Sequence, residues 1–163
     1  MEIRKSTLQD LDAMLQVYET ARAYMAEHGN PTQWGTSYPE RDMLVGDIRR
    51  GESYVMLDGR RIVGTFAFII GPDPTYRVIE DGAWHYDDPY GTIHRLASDG
   101  SVKGIAKACF DFCLERSSYL RIDTHEDNRP MQQAVTRCGF QKCGTIYLTD
   151  GSPRIAFDFI RGR

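Results

Sequence analysis

Residues 98–107 of the chain read SDGSVKGIAK and join a strand-like run to a helix-like run. A bare turn would need one glycine. Two glycines, a lysine and small residues suit a loop whose consecutive backbone amides point at one place. A strand that feeds through such a loop into a helix puts the helix's unpaired N–H groups and positive dipole end at the strand's C-terminal end. That arrangement is a site for phosphate. Gly104 lets the backbone approach a bulky anion, and Lys103 can add charge. The other reading is a glycine-eased helix start that binds nothing. Neither G-x-x-x-x-G-K-[ST] nor G-x-G-x-x-G occurs in the chain, so the two familiar phosphate-loop patterns do not apply.

Two histidines, a residue type suited to proton transfer, stand on strand-like segments. Strand alternation places His94 on one face with Thr92, Leu96 and Ser98. His125 ends the next strand on the same face as Arg121 and Asp123. Three polar residues on one face of a central strand need partners, which implies a polar pocket or a salt-bridge network, with Asp123 able to orient either histidine. The four cysteines are Cys109, Cys113, Cys138 and Cys143. Their C-x3-C and C-x4-C spacings do not match zinc fingers or ribbons, so no metal site is expected. Cys109 and Cys113 read as small buried hydrophobes on one helix face, and Cys138 also sits on a helix face that favours burial.

The elements that carry these residues follow from periodicity and punctuation. Glu2 to Lys5 is a short strand. Thr7 with Asp10 resembles a capping box, after which Leu8, Leu11, Met14, Leu15, Tyr18 and Met25 fall at helical spacing until Gly29 and Pro31. A loop, GNPTQWGTSYPE, leads to a second helix over about 40 to 50. SYVMLD and RIVGTFAFII form a hairpin around a DGR turn. Residues 71 to 91 have no period and form a long loop, read as a lid or a dimer contact through Trp84, His85 and Tyr86. TIHRLAS is the next strand. A helix follows, with Val102, Ile105, Ala106, Cys109 and Cys113 on one face and an end near Arg116. YLRIDTH is a strand. Pro130 starts a helix whose face is Met131, Ala134, Val135 and Cys138, and Gly139 stops it. TIYLTD and RIAFDFI close the chain as a hairpin. The order β-α-α-β-β-β-α-β-α-β-β implies an α/β or α+β layer built on a mixed sheet.

The totals narrow the class. The chain has 163 residues, 41% of them hydrophobic and 26% charged, with net charge −3. That suits one soluble domain spanning 1–163 and gives no reason to expect nucleic acid or an anionic membrane as partner. The N-terminal MEIRKSTLQD has no apolar signal-peptide core. No apolar run approaches the ~20 residues of a membrane span. A cytoplasmic location is the expectation.

The two stretches TIHRLASDGSVKGIAKACFDFC and RIDTHEDNRPMQQAVTRCGF together resemble the acyl-CoA-binding half of the GCN5-related N-acetyltransferases (GNAT). That family's pyrophosphate loop has the pattern Arg/Gln-x-x-Gly-x-Gly/Ala. Here Ser101-Val102-Lys103-Gly104-Ile105-Ala106 keeps the Gly and the Ala and has Ser in place of Arg or Gln. The family's Asn followed by a Gly-Phe pair matches Asn128 and Gly139-Phe140, and the element order agrees over 1 to 163. The resemblance implies a mixed, mostly antiparallel sheet with splayed central strands four and five, flanked by about four helices. It also implies acetyl-CoA as cosubstrate. The backbone of Leu96, Ala97 and Ser98 would bind the pantetheine arm as an added strand does. The amides of Ser101, Val102, Lys103, Gly104, Ile105 and Ala106 would take the pyrophosphate. Asn128, with Met131 beside it, would contact the pantetheine region, a role compatible with capping a helix.

For the acceptor, a lysine-like amine is only about one part in a thousand neutral at pH 7, so a base in reach helps. The family commonly carries a carboxylate near the place of His94, which makes His94 the first-choice base and His125 the second. The tyrosine that many relatives use to protonate the leaving thiolate is replaced by Val135, and Tyr147 is the nearest substitute by sequence. Gln33, Trp34 and Tyr38 lie where the family builds one wall of its acceptor site; they are substrate contacts or core anchors for the loop. The expected function is acetyl transfer to a primary amine of a small molecule or peptide in a ternary complex. Polyamine, amino acid, antibiotic, protein N-terminus and lysine all stay open, as does a homodimer. The alternative, suggested by Ser101 and Val135, is a non-catalytic acyl-CoA-binding or sensing domain.

Overall fold

Arg4, Thr7 and Asp10 set the first corner of the chain. The Asp10 carboxylate accepts from the Thr7 amide at 2.7 Å and from its hydroxyl at 3.3 Å. Arg4 donates to both of its oxygens, at 2.8 and 3.0 Å. This guanidinium holds the Asp10 carboxyl below its ordinary value, against a burial that would raise it. In this computed structural model, which describes residues 1–162, the corner joins β1 (Glu2–Lys5) through a 3₁₀ turn to α1 (Leu11–Glu27). The remaining elements are α2 (Arg41–Arg49), β2 (Ser53–Asp58), β3 (Arg61–Ile70), a second 3₁₀ turn (Pro74–Tyr76), β4 (Gly91–Ser98), α3 (Ile105–Leu114), β5 (Tyr119–Thr124), α4 (Arg129–Arg137), β6 (Gln141–Tyr147) and β7 (Pro153–Ile160).

The sheet has seven strands in the order β1-β2-β3-β4-β5-β7-β6. The pairings β1–β2, β2–β3, β5–β7 and β6–β7 are antiparallel. β4 and β5 run parallel, with register Gly91↔Leu120 and Thr92↔Arg121. The described residues therefore form the mixed, mostly antiparallel sheet with four α-helices that the family resemblance implies. Among the described residues no helix is long and apolar enough to cross a membrane.

The chain divides into two units, Met1–Phe68 with His94–Cys109, and Ile69–Ile93 with the residues from Phe110 on. In the first, α1 and α2 bury Leu11, Met14, Val17, Tyr18 and Leu44 against Val55, Leu57 and Ala97 of the sheet. Burial of side chains this size contributes about 1.5–3 kcal/mol each. Gly64 of β3 is required by closeness. A Cβ there would meet the Ala97 carbonyl and the Ile105 side chain, each at 3.2 Å.

The second unit has its own core, in which Tyr76, Cys143, Ile146 and Ala156 pack with Trp84 and Tyr90. Phe110, Phe140 and Phe159 form a ring contact chain at 5.0 and 5.6 Å. The 71–90 loop is stitched to β6. Glu80 and Thr145 exchange backbone hydrogen bonds at 2.9 and 2.8 Å, and the Ala83 amide donates to the Cys143 carbonyl at 3.0 Å. Gly82 and Gly144 permit this approach, because a Cβ on Gly82 would collide with the Cys143 carbonyl and one on Gly144 would lie 2.5 Å from the Glu80 carbonyl.

Several boundaries and one alternation differ from the sequence reading. The helix face read from Val102 begins at Ile105, because Gly104 takes φ +80 and Ser101 to Lys103 stay in a turn. β6 starts at Gln141, four residues before the predicted Thr145, since Phe140 leaves α4 straight into the strand. His125 follows β5 rather than ending it. The alternation Thr92, His94, Leu96, Ser98 is broken, because Arg95 inside β4 takes φ +55 and kinks the strand.

Candidate functional site

The kink in β4 is held from three directions, all within the first unit. The Arg95 carbonyl accepts from the Tyr18 hydroxyl at 2.7 Å. Its guanidinium donates to both oxygens of Asp47, at 3.0 and 2.9 Å, and to the Tyr38 hydroxyl at 3.3 Å. Burial pushes the Tyr18 phenol well above its ordinary value, so it remains a donor. A non-glycine residue at positive φ costs roughly 1–2 kcal/mol, and such strain persists where its surroundings over-determine it. Sequence reasoning missed Arg95 and Asp47. Asp47 lies in an ordinary amphipathic helix and nothing local marks it as buried.

Beyond the kink come Leu96, Ala97 and Ser98, with Ala97 buried and its neighbours half-buried. The turn after them organises itself around Asp99. One carboxylate oxygen accepts from the Ser101 amide at 2.9 Å and its hydroxyl at 2.6 Å, and the other accepts from Arg61 at 2.8 Å. The Asp99 amide donates to the Val63 carbonyl at 3.0 Å, and the Gly100 amide to the Ser98 hydroxyl at 3.0 Å. Against a burial that would raise it, Ser101 and Arg61 hold the Asp99 carboxyl below its ordinary value. The first i→i−4 bond of α3 runs from the Ala108 amide to the Gly104 carbonyl. The amides of Ile105, Ala106 and Lys107 precede it and sit at the positive end of the helix dipole. Gly104 is exposed, and a Cβ on it would meet nothing within 4 Å. The result is an open loop, stiffened from one side, with its helix amides at the end of β4. Such a loop can take an anion.

The other sequence-predicted residues of this unit lie on and beside that scaffold. His94 is half-buried on β4, next to the kink. Trp34 packs edge-on against Tyr18 at 5.6 Å and tilted against Tyr38 at 6.2 Å, and it joins the helix core. Gln33 accepts from Asn30 at 2.9 Å.

In the second unit, Asn128 caps α4, its side chain accepting from the Met131 amide at 3.2 Å. His125 Nδ1 accepts from the Asp127 amide at 3.0 Å. Its ring therefore carries the proton on Nε2 and works as a turn acceptor at the helix entry. Tyr147 is exposed and donates to Glu80 at 3.0 Å, which raises its phenol. Val135 is fully buried.

The salt-bridge network expected around Arg121 and Asp123 takes another form. Asp123 accepts from Tyr76 at 2.6 Å. Arg121, only 6% exposed, stacks on Trp84 at 4.2 Å and Tyr90 at 4.1 Å. It donates to the Tyr86 carbonyl at 2.9 Å and to the Tyr119 hydroxyl at 3.2 Å. Aromatic faces thus take the place of carboxylates around a buried cation. Beside it the buried Asp158 accepts from the Tyr119 hydroxyl at 2.7 Å and from both the amide and Nδ1 of His85, at 2.9 and 2.7 Å.

No family model and no curated protein matches the sequence. Solved structures do. A GNAT-family acetyltransferase from Streptococcus agalactiae 2603 is 30% identical, with TM-score 0.90 and 99% of this chain and 96% of that one covered. An acetyltransferase from Staphylococcus aureus Mu50 is 22% identical, with TM-score 0.72 and coverage of 98% and 99%. A GNAT-like decarboxylase solved with isobutyryl-CoA is 16% identical, with TM-score 0.63 and coverage of 98% and 99%, a likeness of fold. The first of these, aligned almost end to end at that identity, decides the matter: the chain belongs to the GNAT family of acetyltransferases and is an acyl-CoA-dependent acyltransferase.

Proposed function

We propose that the chain, 1–163 acting as one N-acetyltransferase domain, moves the acetyl group of acetyl-CoA to a primary amine of a small molecule or peptide. The observation that supports this reading best is the 98–106 loop. Its open Gly104 and helix-start amides follow directly on a strand whose kink is gripped by Asp47 and Tyr18. The pyrophosphate lies on the amides from Val102 through Ala106, where the dipole of α3 favours its charge, while the Ser101 amide is held by Asp99 and shapes the turn. The backbone of Leu96, Ala97 and Ser98 pairs with the amide-bearing pantetheine arm.

The amine attacks the thioester carbonyl directly. A C–N bond forms, the C–S bond breaks, and the amine proton passes to His94. A β4 amide stabilises the oxyanion of the tetrahedral intermediate. The thiolate leaves and takes a proton from solvent, which a thiol of ordinary acidity tolerates. Tyr147, held on Glu80, is not needed for that step. Because His125 Nδ1 is already an acceptor for the Asp127 amide, the role of base falls to His94. Trp34 and Tyr38 anchor the α1–α2 loop, and with Gln33 they present the acceptor wall.

Titration calorimetry with acetyl-CoA tests the loop. Gly104→Ala carries the strain of φ +80 without bulk or charge and should still bind. Gly104→Glu should lose binding while remaining folded. Unchanged affinity in a folded Gly104→Glu protein would remove the phosphate cradle. Isobutyryl-CoA, which the decarboxylase neighbour holds, belongs in the same titration to set the acyl length.

A further inference from the structure

Three donor atoms from distant segments converge in the second unit. His85 Nδ1 lies 2.7 Å from Asp158 Oδ1 and 3.3 Å from Cys143 Sγ, and all three atoms fall within 4.8 Å of one another. The same residue types make a nucleophile, base and orienter in thiol hydrolases, but that chemistry needs both ring nitrogens, one for the thiol and one for the carboxylate. Here a single nitrogen faces both. Three donors gathered around one point is the geometry of ligation.

We propose that His85 Nδ1, Cys143 Sγ and Asp158 Oδ1 form a site for a borderline-soft divalent cation of the zinc class, with three protein ligands and one position open to water. The donor set, one nitrogen, one sulfur and one oxygen, suits that class. Charge selects the valence. A Cys143 thiolate and an Asp158 carboxylate together neutralise a divalent ion, which a site this buried requires. On binding, the thiol proton leaves to solvent and the ring proton moves from Nδ1 to Nε2. Access comes through His85, whose side chain is 37% exposed while that of Asp158 is 1% exposed.

Two further features aim the ligands. The β6–β7 register shifts between Lys142 and Gly144, so Cys143 sits at a bulge, the device that re-aims a side chain out of a ladder. The second Asp158 oxygen is held by the Tyr119 hydroxyl and the His85 amide at 2.7 and 2.9 Å, which is how outer partners fix a ligating carboxylate. The bound ion would tie the 71–90 loop to the β6–β7 hairpin.

Cobalt(II) titrated into the reduced full chain tests the proposal. It should give one equivalent of visible bands typical of tetrahedral cobalt, with a thiolate-to-cobalt band in the near ultraviolet that zinc displaces. Zinc at a hundredfold excess over its Kd should raise Tm by about 5–10 °C. Cys143→Ser should abolish the thiolate band. His85→Ala should weaken cobalt binding at least about tenfold, and it should fold, because Asp158 keeps Tyr119 and a backbone amide. Cys138→Ser should leave the bands intact. Absence of bands together with a zinc-independent Tm would overturn the site, as would bands that survive Cys143→Ser or that disappear with Cys138→Ser.

Discussion

Asp47→Ala is the perturbation that reaches furthest into the account, because Asp47 holds the β4 kink through Arg95. The Asp47 side chain is 2% exposed and that of Arg95 11%. Asp47 also meets Arg50, but the Arg50 side chain is 59% exposed, so that arm is worth about 0–1 kcal/mol after solvent screening. The Arg95 arm dominates. Removing its carboxylate leaves a buried guanidinium with Tyr38 as a neutral partner, which costs about 3–5 kcal/mol. In a chain of this size each kcal/mol lowers Tm by about 2–4 °C, so the variant should melt about 6–20 °C lower. Asp47→Asn, which keeps one acceptor, should fall between. In a double-mutant cycle, Asp47→Ala with Arg95→Ala should be at least about 1 kcal/mol less destabilised than the two singles sum to. Thermal and denaturant melts of the four proteins supply the numbers. A Tm within 2 °C or so of wild type, or strict additivity in the cycle, would refute the clamp.

Gly82→Ala and Gly144→Ala should each destabilise by about 1–3 kcal/mol or more in urea, because both Cβ atoms meet backbone carbonyls; Gly59→Ala, with open space around it, should cost only about 1 kcal/mol. His94→Ala should lower kcat about a hundredfold with acetyl-CoA affinity nearly unchanged; a wild-type kcat in that variant would remove His94 from the mechanism. Asp10 and Asp99 both titrate below 3.8 in the folded chain, so the unfolded chain binds protons first as pH falls. Their contribution is full above about pH 5 and is lost through and below pH 4. Denaturant midpoints followed from about pH 5 down through and below pH 4 should fall less steeply for Asp99→Asn than for wild type, and equal slopes would count against that role for the carboxylate.

The elements were legible where pattern and punctuation agree. β2 and β3 are short apolar runs rich in β-branched and aromatic residues on either side of a DGR turn. α4 is framed by Asn128, Pro130 and Gly139, each performing in the structure the local role its type suggests. The turn that leads into α3 was legible for the same reason, since Gly104 at positive φ is a backbone requirement written as a residue. What was not legible depends on long-range placement. The φ of Arg95 comes from Asp47 and Tyr18, 48 and 77 residues away in the chain, and no strand period announces it. The cage around Arg121 is assembled from the 71–90 loop, which has no period at all. His85, Cys143 and Asp158 come together through a bulge and two glycine contacts, a cluster that cysteine spacing alone does not reveal. Val135 stands where many relatives carry an acid, and its complete burial makes it a core residue.

The most direct measurement of the central claim is acetyl transfer itself. Purified chain, acetyl-CoA and a panel of primary amines (polyamines, amino acids, aminoglycosides, and peptides with free N-termini or lysines) are mixed, and released thiol is followed continuously, with mass spectrometry of the amine products. The account predicts thiol release that saturates in at least one amine, with that amine gaining one acetyl group, and loss of activity in Gly104→Glu. Acetyl-CoA that binds in calorimetry while no amine in the panel is acetylated, and while thiol release stays at the amine-free rate, would contradict it.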